Sequence, residues 1–119
     1  MQITDKVSVV TGAASGIGRA TALELVAKRI KGIALVDLNQ GPLRDLADEI
    51  NSASGSEVAL PFAGDVTDED FRVRVFDETA RQHGTVQIVV PAAGIFRDRM
   101  AVKIDRDSGE ADIYPAEVF

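Results

Sequence analysis

Three glycines and one acid carry the strongest chemical signal in this sequence. The string Thr11-Gly12-Ala13-Ala14-Ser15-Gly16-Ile17-Gly18 stands between a β-branched run and a helical apolar pattern. In such a string Gly12 permits a tight turn off the strand. Gly16 lets the backbone approach a pyrophosphate, and Gly18 lets the helix pack closely on the strand. The helix start adds free N–H groups and the positive end of the helix dipole. A glycine triplet by itself is a weak signal; its place between a strand and a helix, with an acid ending the next strand, makes it specific. Asp37 is that acid, 19 residues beyond Gly18. Its carboxylate can accept from both hydroxyls of an adenosine ribose and repels a 2′-phosphate, so the pattern favours NAD(H) over NADP(H). Ser15 and Leu38 occupy the places where a phosphate-preferring site would want Lys or Arg, and Arg19 lies inside the helix and counts for little. The competing reading makes the glycines ordinary turn residues and Asp37 a cap of the second helix. The joint pattern outweighs it.

The elements that must position this loop follow from periodicity. Residues 7–10 form a first strand. From Ile17 the apolar residues take helical spacing through Ala20, Leu23, Ala27 and Ile30, and Gly32 is expected to stop that helix. Residues 33–36 form a second strand ending at Asp37. Pro42 opens a second helix, which buries Leu43, Leu46, Ala47 and Ile50 and ends before Gly55. Residues 58–62 form a third strand, and Pro61 assigns it to a sheet edge because it has no N–H for a ladder. Thr67 is the expected N-cap of a third helix with Asp68, Glu69 and Asp70 in its first turn; its buried side is Phe71, Val75, Phe76 and Ala80, and His83-Gly84 closes it. Residues 86–90 form a fourth strand. Nearly continuous apolar strands alternating with single helices specify an α/β fold: half of a doubly wound, Rossmann-like parallel sheet in the order 3-2-1-4. Residues 1–100 make up this βαβαβαβ dinucleotide-binding unit. Residues 101–119 form an extension of the same domain: a hairpin around Asp107-Ser108-Gly109, then the start of a helix at Pro115.

Composition narrows the chemistry. The chain has 119 residues, enough for one domain, and 45% of them are apolar, enough for a core. Net charge is −6, which argues against nucleic acid or an anionic membrane as partner. There is no cysteine, which excludes disulfides, thiolate metal sites and a Cys nucleophile; a single histidine, His83, excludes a multi-His metal site. No apolar run approaches the roughly 20 residues of a membrane span, and no signal segment is visible, so the default is a cytoplasmic protein.

The glycine string resembles the cofactor loop of the short-chain dehydrogenase/reductase family. Val36-Asp37-Leu38-Asn39 resembles the end of that family's second strand, and Gly64-Asp65-Val66-Thr67 its adenine-contacting segment. Pro91-Ala92-Ala93-Gly94 resembles its Asn-Asn-Ala-Gly or Asn-Ala-Ala-Gly motif, with Pro91 in place of the leading Asn. The likeness runs from Lys6 to about Phe96 and is nearest to the 3-oxoacyl-[acyl-carrier-protein] reductase type. It implies cofactor contacts at Gly12, Ala14, Ser15, Gly16, Ile17, Gly18, Asp37, Leu38, Asp65, Val66, Ala92, Ala93 and Gly94. It also implies hydride transfer between a nicotinamide and a carbonyl or alcohol. The family's Ser and Tyr-x-x-x-Lys relay lies in the half of the fold that follows. Here the one tyrosine, Tyr114, is followed by Pro115 and has Val118 four residues on. A phenol without an adjacent cation keeps its proton near neutrality, so no catalytic residue is assigned.

The remaining polar residues have plainer readings. His83 is expected as a cation at a helix C-terminus, the Asp68-Glu69-Asp70 run as a solvated first turn, and Arg97, Asp98 and Arg99 as loop ion pairs. The chain's end at Phe119, inside an incipient helix, resembles a truncation. As alternatives to the dehydrogenase half, the sequence admits a non-catalytic binding or assembly module and, further off, a flavodoxin-like or receiver-like domain. The bare edge of strand four predicts a homo-oligomer or a partner chain that covers it.

Overall fold

The computed structural model describes residues 2–92. Its elements run β1 (Val7–Thr11), α1 (Gly16–Ala27), β2 (Gly32–Asp37), α2 (Gln40–Ser54), β3 (Ala59–Ala63), α3 (Glu69–His83) and β4 (Ile88–Pro91). All strand pairs are parallel, and the sheet order is β3-β2-β1-β4. This is the expected α/β half-fold, with the Pro61 strand at an edge. Pro61 stands opposite Leu35, and Pro91 ends β4 opposite Thr11. The hairpin and helix start assigned to residues 101–119, and the division at residue 100, lie outside the described residues.

Alternation along the strands divides the core into two layers. Val10, Ile33 and Leu35 face α1 and α2, where they meet Ala22, Leu25, Leu43, Leu46 and Ile50. Val9, Ala34, Val36 and Phe62 face the other way onto Phe71 and Val75 of α3. Both central strands are therefore buried on both faces, which is why they read as unbroken apolar runs.

The helices depart from expectation in instructive ways. The inward face of α1 is Gly18, Ala22 and Leu25, not the row beginning at Ile17 and Ala20, both of which are exposed. The helix stops at Ala27 rather than at Gly32. Arg29 takes a left-handed φ of 62°, its N–H meets Val26 O, and the N–H of Ile30 reaches back to Leu25 O. That is a Schellman closure, with the buried Ile30 and Leu25 as its apolar contact. α2 buries the expected Leu43, Leu46, Ala47 and Ile50. Its Asn51 side chain then both donates to the carbonyl and accepts from the N–H of Ala59, at 2.9 and 2.8 Å, and so pins the start of β3. α3 is capped by Asp68, not Thr67: Asp68 Oδ1 accepts from the N–H groups of Asp70 and Phe71, while the Thr67 hydroxyl turns to Asp65. Thr79 takes the buried position expected of Ala80, and its hydroxyl is satisfied by Val75 O.

His83 is also corrected. Its ring lies against Gly32, where a Cβ would come within 2.2 Å of the imidazole Cγ, and it faces the backbone of Glu57 and Val58. Burial, and then the Lys31 ammonium, push its pKa below the ordinary value; the two backbone groups act the other way. It is thus a packed, preferentially neutral ring rather than a terminal cation. Nε2 has no partner among the described residues.

Two outcomes follow from these contacts. Asn51→Ala leaves both backbone groups of Ala59 without their side-chain partner, so unfolding free energy falls by about 2 kcal/mol; urea titration reads this, and a loss below about 0.5 kcal/mol would mean that water replaces the amide. For His83 the unfolded state binds the extra proton first, because the folded pKa is the lower one. Stability is therefore full above about pH 6.5 and declines as pH falls toward the folded value. Urea midpoints at about pH 7.5 and about pH 5.5 should differ less in His83→Gln than in the parent; equal differences would place the titration elsewhere.

Candidate nucleotide-binding cleft

The C-terminal ends of β1, β2 and β3 open on a cleft of about 400 Å³. The turn after β1 supplies Gly12 and Ser15, and the first turn of α1 supplies Gly16, Ile17 and Gly18. The turn after β2 supplies Asp37, Leu38 and Asn39, the turn after β3 supplies Gly64, Asp65 and Val66, and Ala92 closes the wall beyond β4. The fold thus brings these sequence candidates to one place at the carboxyl edge of the sheet, where open α/β sheets bind ligands. Ala14 stands behind the wall, 8% exposed. Ala93 and Gly94, like Tyr114 and Arg97 to Arg99, lie outside the described residues. Asn39 and Gly64 also line the cleft, and both were legible only as parts of longer segments, Val36 to Asn39 and Gly64 to Thr67.

The first turn of α1 is built to leave donors free. Ser15 is the N-cap, yet its side chain accepts no bond from the turn. Arg19 is the first residue of the helix whose N–H finds an acceptor, Ser15 O at 3.3 Å; those of Gly16, Ile17 and Gly18 have none among the described residues. At Gly16 φ is +59°, and a Cβ there would meet nothing within 4 Å, so its backbone is bare toward the cleft. Gly18 is needed for the opposite reason. A Cβ at Gly18 would lie 2.0 Å from Gly12 O, a contact that only its absence allows. Close packing of α1 under the loop thus aims free N–H groups and the helix dipole at the cleft.

Two carboxylates mark the opposite side. Asp37 Oδ2 accepts the N–H of Ala14, Oδ1 accepts that of Asn39, both at 3.0 Å, and its carbonyl accepts from Gly64 N–H, also at 3.0 Å. Asp65 Oδ1 accepts both the hydroxyl and the N–H of Thr67, at 2.7 and 2.9 Å. Those two bonds, the hydroxyl first, hold its carboxyl below the usual carboxylate range. The carbonyl of Val66 is held by the Arg72 guanidinium at 2.8 Å. Among the described residues, no Lys, Arg or His lines the cleft. Arg19 pairs instead with Glu49 at 3.4 Å, between α1 and α2. Any phosphate bound here would be met by backbone donors, and any group near Asp37 would be met by a fixed anion. Leu38 and Ile17, 72% and 62% exposed, are the apolar surfaces at the rim.

The comparisons with known proteins agree with this geometry. The family model for short chain dehydrogenases matches residues 6–113. The chain is 33% identical over 113 residues to the 3-oxoacyl-[acyl-carrier-protein] reductase of Thermotoga maritima, covering 95% of this chain and 45% of that protein. It is 40% identical over 93 residues to the cis-4-hydroxycyclohexanecarboxylate dehydrogenase of Sinomonas cyclohexanicum, covering 76% of this chain and 35% of that one. A short chain dehydrogenase/reductase from Burkholderia phymatum, solved in complex with NAD, superposes with a TM-score of 0.68 at 28% identity, over 75% of this chain and 31% of that one. The chain spans less than half the length of these relatives. With the half-fold, the glycine turn and the family match in agreement, this chain belongs to the short-chain dehydrogenase/reductase family.

Proposed function

We propose that these 119 residues are the NAD(H)-binding half of an oxidoreductase that moves hydride between a nicotinamide and a carbonyl or alcohol. The observation that carries this reading is the pairing of an uncapped α1 N-terminus with the Asp37 carboxylate across one cleft. The residues present fit the dinucleotide. The bare backbone at Gly16 and the free N–H groups beside it suit a pyrophosphate, and the outward lone pairs of Asp37 suit a ribose diol. Leu38 and Val66 offer apolar surface for an adenine, and Asp65 an acceptor. When bound, the dinucleotide supplies the hydride donor or acceptor at its nicotinamide; the residues of the cleft bind and orient its adenosine end. The two anions, with no cation beside them among the described lining residues, support NAD(H) over NADP(H). The sequence contains no Tyr-x-x-x-Lys pair, so we assign no proton relay to it.

The test is a fluorescence titration of the purified chain with NADH and NADPH. NADH should bind at least about tenfold tighter, a difference of about 1.4 kcal/mol. Gly16→Ala should fold with a stability loss of about 1 kcal/mol, from the left-handed backbone alone, and lose NADH affinity. Equal affinity for both dinucleotides would remove the assignment of NAD(H). Sustained carbonyl reduction by the chain alone would remove the claim that it lacks the relay.

A second reading is favoured by β4. Among the described residues it has a strand neighbour on one side only, and Val89 is 41% exposed on it. An apolar parallel edge invites pairing, which supports a homo-oligomer or a partner chain over this edge. Sedimentation should show self-association that grows with concentration; a monomer throughout would count against it.

A further inference from the structure

We infer that Asp37 is a positioning residue for the glycine loop as well as an acceptor for a ribose, its carboxylate holding that loop in binding geometry before any ligand arrives. The inference rests on the dinucleotide reading of the cleft and deepens it.

Each carboxylate oxygen of Asp37 has one fixed backbone donor: Ala14 N–H on Oδ2 and Asn39 N–H on Oδ1. Ala14 is 23 residues away in sequence and nearly buried, so this bond ties the β1–α1 turn to the end of β2. Beyond the ladder that pairs β1 with β2, one further backbone bond among the described residues joins the same two segments, Ala13 N–H to Val36 O at 3.0 Å. The next residues, Ser15 at the helix cap and Gly16 and Ile17 in the first turn of α1, are exposed, and the Ser15 side chain caps nothing. Ala14 is therefore the last anchored point before the free donors of α1. The main chain of Asp37 also takes the N–H of Gly64, so one residue is bonded to all three turns that line the cleft.

The geometry has a consequence for specificity. A carboxylate has about four lone-pair positions, and the two backbone donors use one on each oxygen. Rotating the carboxylate away from an incoming group breaks both bonds together, so Asp37 cannot turn aside for a 2′-phosphate. Replacing it to admit one also releases Ala14. Exclusion of the phosphate and order in the loop reside in the same group, so charge removal at residue 37 should weaken every adenine nucleotide and not merely relax the choice between two.

The experiment compares the full chain with Asp37→Asn, whose amide nitrogen can no longer accept, by two readouts. The first is amide hydrogen exchange in the ligand-free proteins. Ala14 should exchange at least about tenfold faster in the variant, while Val9 and Leu35 in the central strands keep their rates; this local signature separates loop positioning from general destabilisation. The second is calorimetric titration with ADP and with 2′,3′-dideoxy-ADP, which offers no hydroxyl to residue 37. A residue acting only through the ribose leaves dideoxy-ADP affinity equal in the two proteins, whereas loop positioning lowers it by about fivefold or more in the variant. Unchanged Ala14 exchange, or unchanged dideoxy-ADP affinity, overturns the inference. If the parent chain binds neither NADH nor ADP, the dinucleotide reading has failed, and Ala14 exchange alone then decides whether Asp37 orders the loop.

Discussion

The cleft depends on a carboxylate shared between two backbone amides. Asp37 sits where β2 runs out of sheet, and its side chain accepts from Ala14 and Asn39 while its carbonyl accepts from Gly64. These bonds connect the turn after β1, the turn after β2 and the turn after β3. Hydrogen bonds to an ionised acceptor are the strong ones, and an Asp is short enough to be held rigidly by its own strand. The parallel pairing of β1 with β2, Thr11 opposite Val36, brings the two turns within reach. The sheet sets the distance and the carboxylate closes it.

Around that point the protein separates its charges. Among the described residues, anionic side chains stand on the β2 and β3 side of the cleft, and the positive potential facing them comes from backbone N–H groups at the start of α1. This arrangement needs α1 to approach the loop closely, which the missing Cβ at Gly18 permits. It also needs the helix to hold its angle, for which the buried Ala22 and Leu25 beneath it and the Schellman turn at its far end are responsible. The ion pair of Arg19 with Glu49 ties α1 to α2 outside the cleft, so the one cation in the first turns of α1 is turned away from the anions.

Much of this was legible in the chain. The four strands, their order and the edge position of Pro61 followed from apolar runs, Gly and Pro punctuation and the handedness of crossovers. The face of α2 was correct to the residue because Leu43, Leu46, Ala47 and Ile50 contrast sharply with the polar residues between them. α1 misled because it is apolar nearly all round: Ile17, Ala20, Leu23 and Ala27 satisfy a helical period as well as Gly18, Ala22 and Leu25 do, and a glycine carries no weight as a core residue. The α3 cap slipped by one because Thr67 and Asp68 are both good caps, and only Asp65 decides between them by engaging the Thr67 hydroxyl.

Local rules, then, were enough for the element order, the glycine turn, the acid at the end of β2 and the family likeness they carry, because each depends on residues close together along the chain. Tertiary structure decided what depends on approach between distant segments. It chose the inward face of α1, because Gly18 alone can slide under Gly12. It made His83 a packed ring rather than a surface cation, because Gly32 leaves an imidazole-sized space beside Lys31. It also gave Asp37 a backbone partner 23 residues away. The acid's type and position are written locally, but the amide it accepts from is set by the register of two neighbouring strands.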